Sequence, residues 1–264
     1  MSGGDRSDSI VLCYHAVSES WPAVLSVTPT HLAEQLDLLR ERGYRGIPFS
    51  EAVLGPPPGR TVAITFDDGL RSVFERALPI LSRFDWPATV FALTDFVGAP
   101  RPMTWPGVDA WLGGPHEGEL TPLTWQQLGR LRELGWEIGS HTRTHARLTE
   151  LGDAELEREL GGSREELTDR FGSCTSLAYP YGDHDERTIE AARRAGYSAA
   201  GTLPSRLHAA SPLRFPRIGI HHADGRRRFA LKLSPSLRKL RRTAVWDAMA
   251  PPLRRVRTPV ESRS

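Results

Sequence analysis

The sequence predicts an α/β domain in which about seven strand–helix units close, or nearly close, into a barrel. Short apolar runs recur along the 264 residues, and amphipathic segments with helical periodicity lie between most of them. This alternation implies parallel strands joined by right-handed crossovers. No internal repeat of about 20–50 residues is visible in the sequence, which excludes solenoids and propellers. The length suits one large domain of this class.

The predicted elements can be placed in chain order. Apolar, strand-like runs lie at residues 9–14, 61–66, 88–93, 136–140, 176–179, 198–201 and 215–220. Helical patterns lie at residues 29–42, 70–85, 124–134, 153–171 and 185–195. Residues 45–49 could add a short extra strand. The stretch 98–123, rich in Pro, Gly and Trp, predicts a long insertion after the third strand, either a binding wall or a plain surface loop.

Charge divides the chain into two predicted parts. The net charge is only +2, but residues 226–264 hold twelve Lys or Arg against two acidic residues. We therefore expect a catalytic barrel over residues 1–231 and a basic, amphipathic or disordered tail over residues 232–264. A helix over residues 232–249 could contact an anionic membrane surface, or it could simply be solvated. No nucleic-acid recognition motif accompanies the charge, so nucleic acid is not an expected partner.

Composition indicates an ordinary globular protein with 39% hydrophobic and 25% charged residues. No apolar run approaches the eighteen or so residues that a membrane-spanning helix needs. The polar start lacks the basic and apolar regions of a signal peptide. Cys13 and Cys174 lie in apolar, strand-like runs, which predicts buried free thiols rather than a disulfide. We therefore expect a cytoplasmic protein, with peripheral membrane contact through the tail as a further hypothesis.

Chemically active side chains follow four of the predicted strands. In an α/β barrel the carboxyl ends of the strands converge on one face, where the reactive groups collect. The groups expected there are Asp67-Asp68-Gly69, His141 with His145, Pro180-Tyr181-Gly182, and His221-His222. Segments far apart in the sequence therefore place carboxylates and imidazoles around one mouth, and we expect the active site there.

These side chains predict a metal site. His141 and His145 would share one face if their segment turns helically, and imidazole is a common ligand of divalent metals. Of Asp67 and Asp68, one could bind the metal while the other stays free as a base. Taken singly, Asp-Gly could be a turn and the histidines could be surface residues. Together they supply what hydrolysis of an unactivated amide needs, namely a cation with open positions and a base.

Three of these segments resemble the motifs of the polysaccharide deacetylase family, carbohydrate esterase family 4, whose members share the chitooligosaccharide deacetylase homology domain of nodulation proteins. The segments are residues 65–69, 140–145 and 179–182, and the resemblance extends from about residue 10 to residue 220, including Tyr14-His15. The resemblance implies a distorted (β/α)7-type barrel that removes acetyl groups from N-acetylated sugars or sugar conjugates. It also implies site roles: Asp67 as general base, Asp68, His141 and His145 as ligands of a divalent metal, usually Zn²⁺, and the backbone N–H of Tyr181 as an oxyanion donor.

The sequence departs from the family pattern at two positions. The family commonly has an arginine two residues before its Pro-Tyr pair, to position the base, but Ala178 stands here; we expect Arg217 to supply the guanidinium instead. The histidine of the family's last motif, its general acid, corresponds best to His222, with His221 as the alternative.

Substrate contacts are expected from residues around the mouth. Tyr181 and His15 would line it, and Trp105 could stack on a sugar ring or simply pack the insertion onto the barrel.

Alternative functions remain open from the sequence. The same site could hydrolyse another non-peptide amide, such as a cyclic imide or ureide. A carbohydrate-binding pseudoenzyme is a second alternative, which the complete set of candidate residues argues against. A non-haem iron oxygenase also uses two histidines and one carboxylate, but it has no need of the spare carboxylate.

Overall fold

The computed structural model describes residues 8–204, 207 and 209–243 and contains one large parallel sheet that is nearly closed into a barrel. The strands are β1 (Asp8–Tyr14), β2 (Ala16–Val17), β3 (Ser26–Val27), β4 (Arg45–Gly46), β5 (Arg60–Phe66), β6 (Thr89–Ala92), β7 (Glu137–Ser140), β8 (Ser176–Ala178), β9 (Ala199–Thr202), β10 (Phe215–Pro216) and β11 (Ile218–Gly219). The large sheet has the order β10-β9-β8-β7-β6-β5-β1-β11, with β4 paired to β5. Its pairings are all parallel, so the predicted α/β barrel is confirmed.

One short stretch of chain connects the two ends of this sheet. β10 pairs with β9, β11 pairs with β1, and only Arg217 separates them. The seventh predicted strand, residues 215–220, is therefore present but divided at Arg217. Because the two halves pair with opposite ends of the sheet, this stretch brings β9 and β1 together and gives the barrel its nearly closed form.

Helices cover the outside of the barrel. They are α1 (Pro29–Glu41), α2 (Phe49–Leu54), α3 (Leu78–Ser82), α4 (Trp125–Glu133), α5 (Asp153–Glu157), α6 (Ser163–Phe171), α7 (Glu186–Arg194), α8 (Arg226–Lys232) and α9 (Pro235–Leu240). The predicted helices at 70–85 and 153–171 each include a π-helical segment, at Val73–Ala77 and Arg158–Gly162. The sequence prediction missed α2. It considered a short extra strand over residues 45–49, of which only Arg45–Gly46 pairs.

Side-chain alternation separates the barrel interior from its outer face. Leu12, Tyr14 and other outward residues of β1 join the large core beneath the helices, whereas Val11 belongs to a separate interior cluster. That interior cluster includes Phe49, Phe91 and several alanines. Because successive strand residues point to opposite sides, Cys13 has the same inward direction as Val11. The same rule directs Thr65, and Asp67 just beyond β5, toward the barrel axis.

The last described residues pack against the barrel. Phe229 and Leu233 are buried in the main core, and Arg238 of α9 donates two hydrogen bonds to Asp8 at the start of β1. The described part of the predicted tail is not one continuous helix. Ser234 caps a new helix whose first residue is Pro235. The division of the chain at residues 231 and 232 stays a prediction, and residues 244–264 of the tail lie outside the described part. Among the described helices, none has the length and apolar character needed to cross a membrane.

Gly139 on β7 allows close packing inside the barrel, which yields a stability prediction. A Cβ atom there would lie 2.6 Å from the Phe91 ring and 2.5 Å from the Ser176 hydroxyl oxygen. We expect Gly139→Ala to lower the free energy of unfolding by about 1–3 kcal/mol, as measured by urea denaturation. Gly129→Ala is the control, since a Cβ in α4 meets nothing within 4 Å; it should raise stability by roughly 0.5–1 kcal/mol. Equal stability of Gly139→Ala and wild type would contradict this packing argument.

Candidate active site

The predicted site residues converge at the carboxyl ends of the strands. Asp67 and Asp68 directly follow β5, His141 follows β7, Tyr181 lies just after β8, and His15 follows β1. Arg217 enters from between β10 and β11. The expected mouth is thus formed by residues that the barrel brings together from most of the chain.

Asp68, His141 and His145 form a buried cluster whose donor atoms suit one divalent cation. Asp68 Oδ1 lies 3.4 Å from His141 Nε2 and 3.6 Å from His145 Nε2. Two donors on one tetrahedral zinc ion, each bonded at about 2.0–2.2 Å, stand about 3.3–3.6 Å apart. Asp68 Oδ1 is buried and accepts no hydrogen bond from any described residue, so it is available as a ligand. The three residues predicted as ligands fit such an ion.

The two imidazoles of this cluster have different surroundings. His141 Nδ1 lies 2.8 Å from the Ala178 carbonyl oxygen and donates its hydrogen to it. The other ring nitrogen, Nε2, therefore has its lone pair free to bind a metal ion. His145 instead lies between aromatic rings: the Trp105 indole stacks on it at 4.4 Å, and Tyr181 meets it edge-on at 4.4 Å. Burial lowers the pKa of His145 to about 3, so this ring is neutral, the form that binds metals.

The backbone around the cluster adopts unusual conformations. Five described residues other than glycine have positive φ, and four of them lie here: Asp68, Thr142, His145 and Tyr181. The histidine segment is therefore not the helical turn that the sequence suggested, since Thr142 has φ 70° and His145 φ 66°. Such conformations cost about 1–3 kcal/mol each and persist only where the surroundings hold them. Around Thr142, the Ser140 hydroxyl accepts from its N–H and the Ser163 hydroxyl donates to its carbonyl.

Asp67 does not belong to the cluster of Asp68, His141 and His145, and a buried arginine binds its carboxylate. Arg217 donates to both carboxylate oxygens, at 2.6 and 2.8 Å, and the Cys13 thiol donates to Oδ2 at 3.3 Å. Burial alone would raise the pKa of the Asp67 carboxyl, but the Arg217 guanidinium and His141 together hold that pKa well below its ordinary value. The carboxylate is therefore ionised. The predicted substitution of Arg217 for the missing arginine at Ala178 agrees with this geometry.

Cys13 is a site residue that sequence reasoning missed. It was predicted only as a buried free thiol, and both cysteines are indeed buried and free. Burial raises the pKa of the Cys13 thiol well above its usual range, so it stays protonated and donates. The sequence contained one signal: Cys13 occupies a position on β1 whose side chain points into the barrel, two residues before His15. Cys13, His15 and Asp67 also have donor atoms within 4.8 Å of one another, but Arg217 already occupies both Asp67 oxygens, which disfavours a second cation there.

The candidate proton donors differ in position. His15 is partly buried, with a ring nitrogen within 4.8 Å of an Asp67 oxygen. The backbone N–H of His222 donates to the Val24 carbonyl at 2.9 Å, and the Nδ1 atom of its ring is buried without a hydrogen bond to any described residue. His221 has a half-exposed side chain near Asp224 and Lys232. Of these three histidines, His15 is the one whose ring nitrogen is described within 4.8 Å of an Asp67 oxygen.

The barrel thus holds at one mouth a buried Asp-His-His group that could bind a metal ion and, separate from it, an arginine-bound carboxylate. The sequence profile of the family described as "Polysaccharide deacetylase" matches residues 54–200. This match covers more than half of the chain, and the chain belongs to the polysaccharide deacetylase family.

Curated relatives fall in the same family. YxkH of Bacillus subtilis is 27% identical over 198 residues, which are 73% of this chain and 63% of that protein. The poly-β-1,6-N-acetyl-D-glucosamine N-deacetylase of Escherichia coli K12 is 27% identical, over 79% of this chain but only 36% of its own length. The enzyme of the same name from Staphylococcus epidermidis is 24% identical, over 81% and 79% of the two chains. The chain thus spans less than two thirds of the first two relatives.

Solved structures share the fold. A deacetylase from Streptococcus pyogenes, in complex with acetate, superposes with a TM-score of 0.71 at 23% identity, covering 86% of this chain and 98% of that one. The structure of IcaB from Ammonifex degensii superposes with a TM-score of 0.67 at 25% identity, covering 86% and 97%. Both likenesses show a shared fold over 86% of the chain.

The Arg217–Asp67 ion pair yields a second stability prediction. We expect Arg217→Met to lower the free energy of unfolding by about 3–5 kcal/mol, because it leaves a buried carboxylate without its partner. The double variant Arg217→Met/Asp67→Asn should lose less unfolding free energy than the two single variants lose together. A double-mutant cycle based on urea denaturation measures this difference. The control is Arg130→Met, whose ion pair with Glu133 is exposed and should be worth less than about 1 kcal/mol. Additive losses would show that the two groups do not interact.

Proposed function

We propose that this chain is a metal-dependent N-deacetylase that hydrolyses the acetamido groups of a polymer containing N-acetylglucosamine. The observation that carries the proposal is the separation of two carboxylates with different partners. Asp68 lies with two imidazoles in a cation-sized cluster, while Asp67, its neighbour in sequence, is bound by Arg217. Hydrolysis of an amide uses both parts, one to activate the carbonyl and the other to take a proton from water.

The proposed reaction breaks the amide C–N bond and forms a C–O bond to the acyl carbon, giving acetate and a free amine. Asp68, His141 and His145 would hold a divalent cation, Zn²⁺ for this donor set, and such a cation would polarise the carbonyl and lower the pKa of water bound to it. Asp67 accepts the proton of the attacking water, and Arg217 keeps this carboxylate ionised and oriented. The backbone N–H of Tyr181 donates to the developing oxyanion.

Departure of the amine needs a proton donor. Both His15 and His222 are candidates, and the position of His15 beside Asp67 favours it. A protonated imidazole there could donate to the leaving nitrogen on the same side as the base. His222 stays the sequence-based alternative.

The names of the relatives support an N-acetylglucosamine polymer as the substrate class. Enzymes from Escherichia coli and Staphylococcus epidermidis that carry this substrate in their names share 24–27% of aligned residues with the chain. His15 and Tyr181 are proposed to border the bound sugar, whereas Trp105, the third residue predicted to contact it, is only 8% exposed. A lipid-linked substrate, a cytoplasmic location and membrane contact through the tail are further hypotheses that rest on the sequence alone.

Acetate release tests the main proposal. The purified protein loaded with Zn²⁺ should release acetate from oligomers of N-acetylglucosamine, and removal of metal by a chelator should abolish the release until Zn²⁺ is restored. Asp67→Asn should lower the rate by about 10²–10⁴-fold because the base is lost. Glu133→Gln, an exposed change on α4, is the matched control and should leave the rate unchanged. Chelator-resistant turnover, or oxygen consumption in place of acetate release, would refute a metal-dependent deacetylase.

The proton donor can be identified by comparing two histidine variants. If His15 protonates the leaving amine, His15→Gln should lower kcat by about 10²-fold or more, whereas His222→Gln should have a much smaller effect. Zinc content should be unchanged in both, because neither residue belongs to the cation cluster. The reverse pattern would assign the donor to His222, and full activity of both variants would exclude both.

A further inference from the structure

The two histidines of the cation cluster are oriented by different means. Histidines that bind metals almost always donate their second ring N–H to a carbonyl, carboxylate or water, which fixes the tautomer and the ring orientation. His141 follows this rule through Ala178. His145 does not: its Nδ1 is buried and makes no hydrogen bond to any described residue. Something other than a hydrogen bond must therefore hold this ring.

Aromatic rings enclose His145. The Trp105 indole is nearly parallel to the imidazole, with an interplanar angle of 24° and centroids 4.4 Å apart. Tyr181 lies edge-on to the same ring at 75°, and the His141 ring meets it at 71° with centroids 5.0 Å apart. Rotation of an imidazole about its terminal torsion is otherwise soft, so contacts on its face and edges restrict that rotation.

The insertion at residues 98–123 holds both enclosing rings. Trp105 is only 8% exposed and packs edge-on against Phe96, with centroids 6.1 Å apart. The Tyr181 hydroxyl donates to the Pro106 carbonyl at 3.3 Å, and the Arg147 guanidinium lies 4.0 Å above the Tyr181 ring. Backbone hydrogen bonds from Val108 and Asp109 to the Trp105 carbonyl secure this turn of the insertion. The rings are thus part of a packed unit.

We propose that Trp105 is a positioning residue for the cation site: its indole orients the His145 imidazole in place of the missing hydrogen bond, so the insertion sets the affinity for the cation. This inference rests on the cation site of the proposed function. It gives Trp105 a role other than a sugar platform, since one indole face lies on His145 and little of the side chain stays exposed.

Zinc affinity, measured by competition with a chromophoric chelator, tests this role without reference to catalysis. Trp105→Leu should weaken Zn²⁺ binding by about 10-fold or more, the range found when groups that orient metal ligands are lost. Trp105→Phe keeps an aromatic face and should restore most of that affinity. Trp111→Leu is the matched control, because Trp111 belongs to the same insertion but packs on Trp21 and His116; its affinity should equal that of wild type.

Several outcomes would overturn the proposal. Wild-type affinity in Trp105→Leu would show that the stack does not orient the ligand, and equal weakening by Trp111→Leu would show a general loosening of the insertion instead. Urea denaturation of the apoproteins checks folding. If Trp105→Leu does not fold, Trp105→Met, which fills more of the space, should weaken Zn²⁺ binding by about 10-fold or more. A wild-type protein that binds zinc yet releases no acetate would contradict the proposed function while leaving this inference intact.

Discussion

The buried ion pair between Arg217 and Asp67 connects the closure of the barrel to the chemistry of its mouth. Arg217 lies between the two half-strands that pair with opposite ends of the sheet, and its guanidinium donates to both oxygens of Asp67. A buried charge is tolerated when it is paired and hydrogen-bonded. Closure of the barrel therefore supplies the partner that Asp67 needs, and Asp67 in turn neutralises the arginine inside the sheet.

Conformational strain is concentrated where the site needs fixed geometry. Two of the cluster residues, Asp68 and His145, adopt left-handed backbone conformations, as does Tyr181, whose ring contacts His145. Non-glycine residues rarely adopt such conformations unless the surrounding structure determines them. Hydrogen bonds around Thr142 and the packing of the insertion hold the backbone in these conformations. The donor atoms are consequently held close together by the protein itself.

Much of the barrel and of its site could be predicted from the sequence. The apolar runs have a length and alternation that indicate strands, and the seven predicted strands were found. The chemically active residues could be assigned to one mouth because they directly follow those strands. By contrast, α2 was missed, because residues 45–54 begin as a β-like run, and the His141 segment was not the suggested helical turn. Its left-handed residues are set by tertiary hydrogen bonds that a local pattern does not contain.

The sequence by itself determined the order of most strands and helices and the side of the barrel on which the carboxylates and imidazoles collect. These follow from periodicity and from spacing along the chain, which are local properties. Arg217 was proposed from the sequence as the partner of the base, but only the tertiary structure decided how it reaches Asp67 across 150 residues, that the Cys13 thiol joins them, and that Trp105 stacks on His145. These contacts depend on how distant segments meet in space, and no local pattern specifies the distance or the angle between two such side chains.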